Sequence, residues 1–101
     1  MMNKITEMVE KMHEEAEEAQ EYALLAEQHK ADDRELSEMY AAITANKLDI
    51  VTRMHDRMIR KVNEMGADMP PELRQVMDWV NKKTSERTAR VKNILEMAKR
   101  A

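Results

Sequence analysis

The sequence predicts an all-α protein, a three-helix up-down-up antiparallel bundle with a long second helix, and three observations carry that expectation. Helix-forming residues dominate, with eleven Met, no Phe, one Trp and two Tyr, and β-branched and aromatic residues are too sparse to supply several strands. Apolar and small residues return at steps of three and four through three long stretches, the spacing of one helical face. The single glycine, Gly66, followed by Pro70-Pro71, makes the sharpest break in the chain. At 101 residues the chain has the length of one domain, enough to bury a modest core.

The first helix is expected over residues 4–30, with the stripe Ile5, Met8, Met12, Glu15, Ala19, Tyr22, Ala26 and His29 and with Asn3 or Thr6 as its cap. Glu7, Glu10, Glu14, Glu17, Glu18 and Glu21 fall between these positions as a solvated acidic face. Lys30-Ala31-Asp32-Asp33 reads as a turn, with Asp32 or Asp33 capping a second helix over 33–65. Its stripe is Leu36, Tyr40, Ile43, Lys47, Ile50 with Val51, Met54, Met58, Val62 and Met65. Gly66 supplies a left-handed cap, and the prolines prevent continuation. A third helix over 71–99 follows, with Leu73, Val76 with Met77, Val80, Thr84, Val91, Ile94 with Leu95, and Ala98 on one face. Two short turns make neighbouring helices antiparallel and set helices one and three side by side within a single domain, 1–101.

Composition removes several kinds of chemistry. The chain has no cysteine, so no disulfide, thiolate nucleophile or thiolate metal ligand is possible. One glycine cannot build a phosphate-cradling loop. None of the five threonines and two serines has a histidine at a spacing that suggests a triad. The polar, Glu-rich start is not the apolar core of a signal peptide, and no window has the apolar length of a membrane span, so the expected location is cytoplasmic, without a membrane partner.

Net charge is −3, distributed unevenly: residues 1–30 hold eight acids and three bases, residues 67–101 five acids and eight bases. Lys82, Lys83, Arg87, Arg90, Lys92, Lys99 and Arg100 make the last helix basic, which is one way to build a nucleic-acid surface. No motif or stacking aromatic accompanies them, and a basic helix lying beside an acidic one explains the same asymmetry.

Two charges interrupt the apolar stripes. In a hairpin turning near residues 31 and 32, facing residues have numbers summing to about 63, which sets Glu15 against Lys47 as a buried ion pair. A turn near residue 68 brings Arg87 within about one helical turn of that level. His13, His29 and His55 fall on different levels and read as surface histidines. Glu14 with Glu18, and Asp49 with Asp56, read as solvated neighbours rather than catalytic carboxylate pairs. The methionines Met54, Met58, Met65, Met69 and Met77 read as core filling in a chain without Phe, with an adaptable partner groove as the alternative.

Glu15, Tyr22 seven residues later, and the run Glu35-Leu36-Ser37-Glu38-Met39-Tyr40-Ala41-Ala42-Ile43-Thr44-Ala45-Asn46-Lys47-Leu48-Asp49-Ile50 through Met54-His55 resemble in cadence the first two helices of small ferritin-like proteins, including ones encoded by phages and prophages. The resemblance implies a ferritin-like hairpin. In that family a di-iron site draws on a helix-one Glu and a Glu-x-x-His on helix two. Glu15 and Tyr22 match the first part, whereas Lys47 and Ile50 stand where Glu and His are required. An ammonium repels a metal and an Ile cannot ligate one. The implied protein is a scaffold whose metal centre has given way to the Glu15–Lys47 pair, with no metal, cofactor or catalytic residue.

More apolar residues are present than one stripe per helix can bury: Leu24 beside Leu25, Met58 beside Ile59, and Trp79 beside Val80. Leu24, Leu25, Met58, Ile59 and Trp79 form the expected interaction surface, able to close a homodimer or receive another protein. The expected function is that of a non-catalytic structural or interaction protein. Alternatives are a ferritin-like metal protein with an altered centre built from Glu15, His55 and carboxylates of a second subunit, and a nucleic-acid-binding module using the basic third helix.

Overall fold

A computed structural model describes residues 2–100. Three long helices pack together: α1 (Met2–His29), α2 (Arg34–Met65) and α3 (Pro71–Lys99), with a single 3-10 turn, Gly66–Asp68, before α3. Among the described residues there is no strand. The molecule measures 54 × 18 × 15 Å, close to the length of its longest helix at 1.5 Å per residue. Among the described residues no helix is long and apolar enough to cross a membrane.

Helix α1 already runs through Asn3 and Thr6, so neither is its cap. Asp33 caps α2, its Oδ1 accepting from the Leu36 N–H at 3.1 Å, which satisfies one of the open donors of the first turn. Gly66 ends α2 with φ +53° and ψ −125° and donates its N–H to the Asn63 carbonyl. The positive φ is expected of this glycine. Its ψ is not that of the left-handed helix, because the chain enters the 3-10 turn instead of a left-handed cap. Pro71 opens α3 at the one position where its missing N–H costs nothing.

The buried faces are narrower than the hydropathy stripes suggest and are rotated from them. On α1 the buried residues are Ile5, Met12, Ala16, Ala19, Ala23 and Ala26. On α2 they are Ser37, Thr44, Val51 and Met58, spaced by seven, the repeat of a left-handed supercoiled seam. Ile50, on the expected stripe, is exposed, and Leu36, Tyr40 and Ile43 are half-buried. Four alanines on α1 and two small hydroxyl residues on α2 explain the choice. They allow the two backbones a close approach that larger side chains would prevent, and both hydroxyls are satisfied within it. Ser37 Oγ donates to the Ala26 carbonyl of α1 at 2.6 Å, and Thr44 Oγ1 to the Tyr40 carbonyl one turn back at 2.9 Å.

Helix α3 buries Leu73, Met77, Val80, Val91, Leu95 and Ala98, while Val76, expected on this face, is exposed. It packs chiefly on α1 and less on α2. Lys30 holds its far end, donating to the Met97 carbonyl at 2.9 Å in the last turn, where helix carbonyls are open.

Two apolar clusters result. The larger joins Ile5, Met12, Ala16, Val51, Met58, Leu73, Met77 and Val80, with Met8, Val9, Met54, Val62, Met65 and Met69 packed around it. The smaller joins Ala19, Ala23 and Val91, with Leu48 and Ile94 beside them. Methionine supplies much of the first, as expected of a core that lacks Phe and must be filled by adaptable unbranched chains. On α1 the clusters part between Ala16 and Ala19, at the level of the charged residues.

Candidate functional site

Charged side chains from α1 and α2 meet at that level. Lys47 Nζ lies 2.9 Å from Glu15 Oε2 and 2.6 Å from Glu18 Oε2. One ammonium thus faces two carboxylates one helical turn apart on α1. Their side chains are 22%, 27% and 47% exposed for Lys47, Glu15 and Glu18, so the expected buried pair is half-buried and includes a third member. Glu15 Oε2 is itself shielded from solvent and has no aligned hydrogen-bond donor. Glu18 first and Glu15 next raise the Lys47 ammonium well above the ordinary lysine range, against a smaller opposing effect of burial. A lysine so held remains a cation at any physiological pH and offers no free pair of electrons for base or nucleophile chemistry.

The other candidate groups are separated. His13 pairs with Glu17 at 3.3 Å and His29 with Asp32 at 3.2 Å, both within their own stretch of chain. His55 Nε2–H donates to Asn81 Oδ1 at 2.6 Å, tying α2 to α3. Glu14 pairs with Lys11 while Glu18 meets Lys47, so these two carboxylates divide between separate partners, and Asp49 pairs with Arg53 rather than with Asp56. Among the described residues no group of three or more His, Asp or Glu side chains is placed to hold a metal ion. Tyr22 and Tyr40 meet with ring centroids 5.9 Å apart, and His29 lies 6.1 Å from Tyr40. These rings form a small tilted cluster near the turn between α1 and α2.

Arg87 does not join the charged cluster. It lines a cleft of about 570 Å³ between α1 and α3, together with Val9, Glu10, Met12, His13, Ala16, Trp79, Val80, Lys83 and Arg90. Its Nη1 is buried and has no hydrogen-bond partner, an uncommon state for a guanidinium nitrogen. Trp79, the sole tryptophan, stands beside this cleft 61% exposed.

The five residues expected to form one interaction surface are dispersed. Met58 is a core residue, 1% exposed; its seven-residue spacing from Val51 turns it inward, and it is withdrawn from any surface. Ile59 is half-buried beside a smaller hollow between α2 and α3. Leu24 is exposed and Leu25 half-buried on α1. Of the five, only Trp79 borders the large cleft. Sequence reasoning missed the cleft itself, although Val76 and Trp79 followed by Lys83 and Arg90 at steps of three, four and seven place apolar and basic residues on one helical face, which was a readable signal. The basic residues of α3 are divided as well: Lys83, Arg87 and Arg90 line this cleft, whereas Lys92 lines a hollow between α2 and α3.

No family model matches this chain, and no curated protein or solved structure is similar to it at a meaningful level.

Proposed function

We propose that the protein is a non-catalytic helical interaction protein, an up-down-up antiparallel three-helix scaffold that associates with a second copy of itself. The observation that carries this reading is Trp79, a large aromatic left mostly in solvent at the edge of an open, largely apolar cleft. Aromatic residues in that setting are characteristic of interface centres. Supporting it, Lys47 is held between Glu15 and Glu18, and the three histidines are engaged with Glu17, Asp32 and Asn81 on separate parts of the fold.

Contacts between early and late residues of the hairpin, Ser37 with Ala26 and Lys47 with Glu15, support the antiparallel course of α1 and α2. Lys47 at the level of Glu15 also fits the resemblance to a ferritin-like hairpin that has exchanged a metal ligand for a cation. Thermal unfolding at several protein concentrations tests the reading. A midpoint that rises with concentration is expected, because association stabilises the folded chain by mass action. A midpoint independent of concentration over a hundredfold range contradicts it.

A further inference from the structure

We infer that the cleft between α1 and α3 is the self-interface, and that carboxylates on α1 of a second copy face the basic side chains Lys83, Arg87 and Arg90 of its α3 wall. This rests on the self-association proposed above and names the surface. Four observations converge on it. The cleft is walled by apolar residues, Val9, Met12, Ala16 and Val80, with Trp79 at its edge. Val76, Trp79 and Met97 are all at least half exposed and recur with Lys83 and Arg90 at steps of three, four and seven, so α3 presents one mixed apolar and basic face on this side. Arg87 Nη1 is buried without a partner on the cleft wall.

The fourth observation is charge. The α3 wall carries Lys83, Arg87 and Arg90 against Glu86, which pairs with Lys83 at 3.6 Å, whereas the α1 wall carries Glu10 and His13, with Glu17 one heptad beyond Glu10 and paired with His13 at 3.3 Å. A two-fold axis running along the bundle places the α1 wall of each copy against the α3 wall of the other. Acid then meets base twice, as a self-complementary contact requires. The same operation covers both Trp79 side chains. Four helices, α1 and α3 from each copy, enclose the joint apolar seam, and the outer surface of α2 remains free in both. The reverse arrangement, with the axis across the helices, sets α1 against α1 and basic wall against basic wall.

Sedimentation velocity of the full chain, with circular dichroism as the check on folding, tests this. The wild type is expected to sediment as a dimer at tens of micromolar and Trp79→Glu as a helical monomer. Lys83→Glu/Arg90→Glu and Glu10→Lys/Glu17→Lys are each expected to be monomeric, and an equimolar mixture of the two to recover the dimer. A mixture that stays monomeric overturns the wall-to-wall contact.

A wild-type dimer that Trp79→Glu leaves intact places self-association on another face: the cleft inference falls and the proposed function stands. A monomeric wild type overturns both. Should the variants fail to fold, the wild type decides alone, since Trp79 is its only tryptophan: dissociation on dilution is expected to shift its emission to the red. Unchanged emission across the dissociation overturns the inference.

Discussion

Lys47 is the residue on which the charged layer depends. Without it, Glu15 and Glu18 face each other half-buried and uncompensated, so Lys47→Met is expected to destabilise the protein by about 1 kcal/mol at neutral pH, a modest figure for pairs still reached by solvent. Lys47→Glu, which adds a third carboxylate, is expected to cost more. The folded-state pKa of Lys47 is raised, so its contribution is fully present below the ordinary lysine value and is lost only as pH rises through the higher folded one. Stability of wild type and Lys47→Met followed by denaturant unfolding should therefore differ by a constant amount from pH 7 to 9. A difference that disappears in that interval contradicts the assignment. Counting helical levels is enough to set Glu15 against Lys47. It does not reach Glu18, because a lysine stem long enough to span a turn selects its second partner by side-chain geometry that residue numbers do not contain. Gly66 is a second critical residue, at φ +53° with open space where a Cβ would stand. Gly66→Ala is expected to lose about 1 kcal/mol in chemical denaturation, all of it backbone strain.

At the scale of the helix, small residues govern how α1 and α2 approach. Ala19, Ala23 and Ala26 are wholly enclosed, as is Thr44. Ala23→Leu is expected to force the helices apart and to destabilise by about 1–3 kcal/mol, whereas Ala42→Leu on the exposed side of α2 should leave the melting temperature nearly unchanged. Equal effects would mean that α1 and α2 do not depend on close approach. Ser37→Ala removes the donor to the Ala26 carbonyl and should cost about 1 kcal/mol by the same measurement. That three long helices form, and that Asp33, Gly66 and Pro71 divide them, follows from periodicity and from cap chemistry. The identity of the buried face of α2 does not. Hydropathy favours Ile43 and Ile50 over Ser37 and Thr44, and only the partner helix, with its alanines, makes the small hydroxyl residues the better fit. Met58 fits both the apolar stripe and the expected interaction surface, and only its place in the core holds: the phase of a helix cannot be fixed when most of its faces carry some apolar residue.

For the molecule as a whole, a slender bundle of 54 × 18 × 15 Å has little interior, and its core divides into two clusters around a charged layer. α3 rests mainly on α1, which leaves the cleft open along their shared side. The acidic first helix and basic third helix were legible in composition. That they pack on one another yet leave a gap bordered by Trp79 along one side emerges only from how the three helices pack. Self-association would cover that gap and most of the large exposed apolar side chains of α3 together. Native mass by light scattering across a wide concentration range is the most direct test of this account. It predicts twice the 11.9 kDa chain mass at micromolar concentrations, falling toward the monomer on dilution. A mass of one chain at every concentration up to the millimolar range would contradict it.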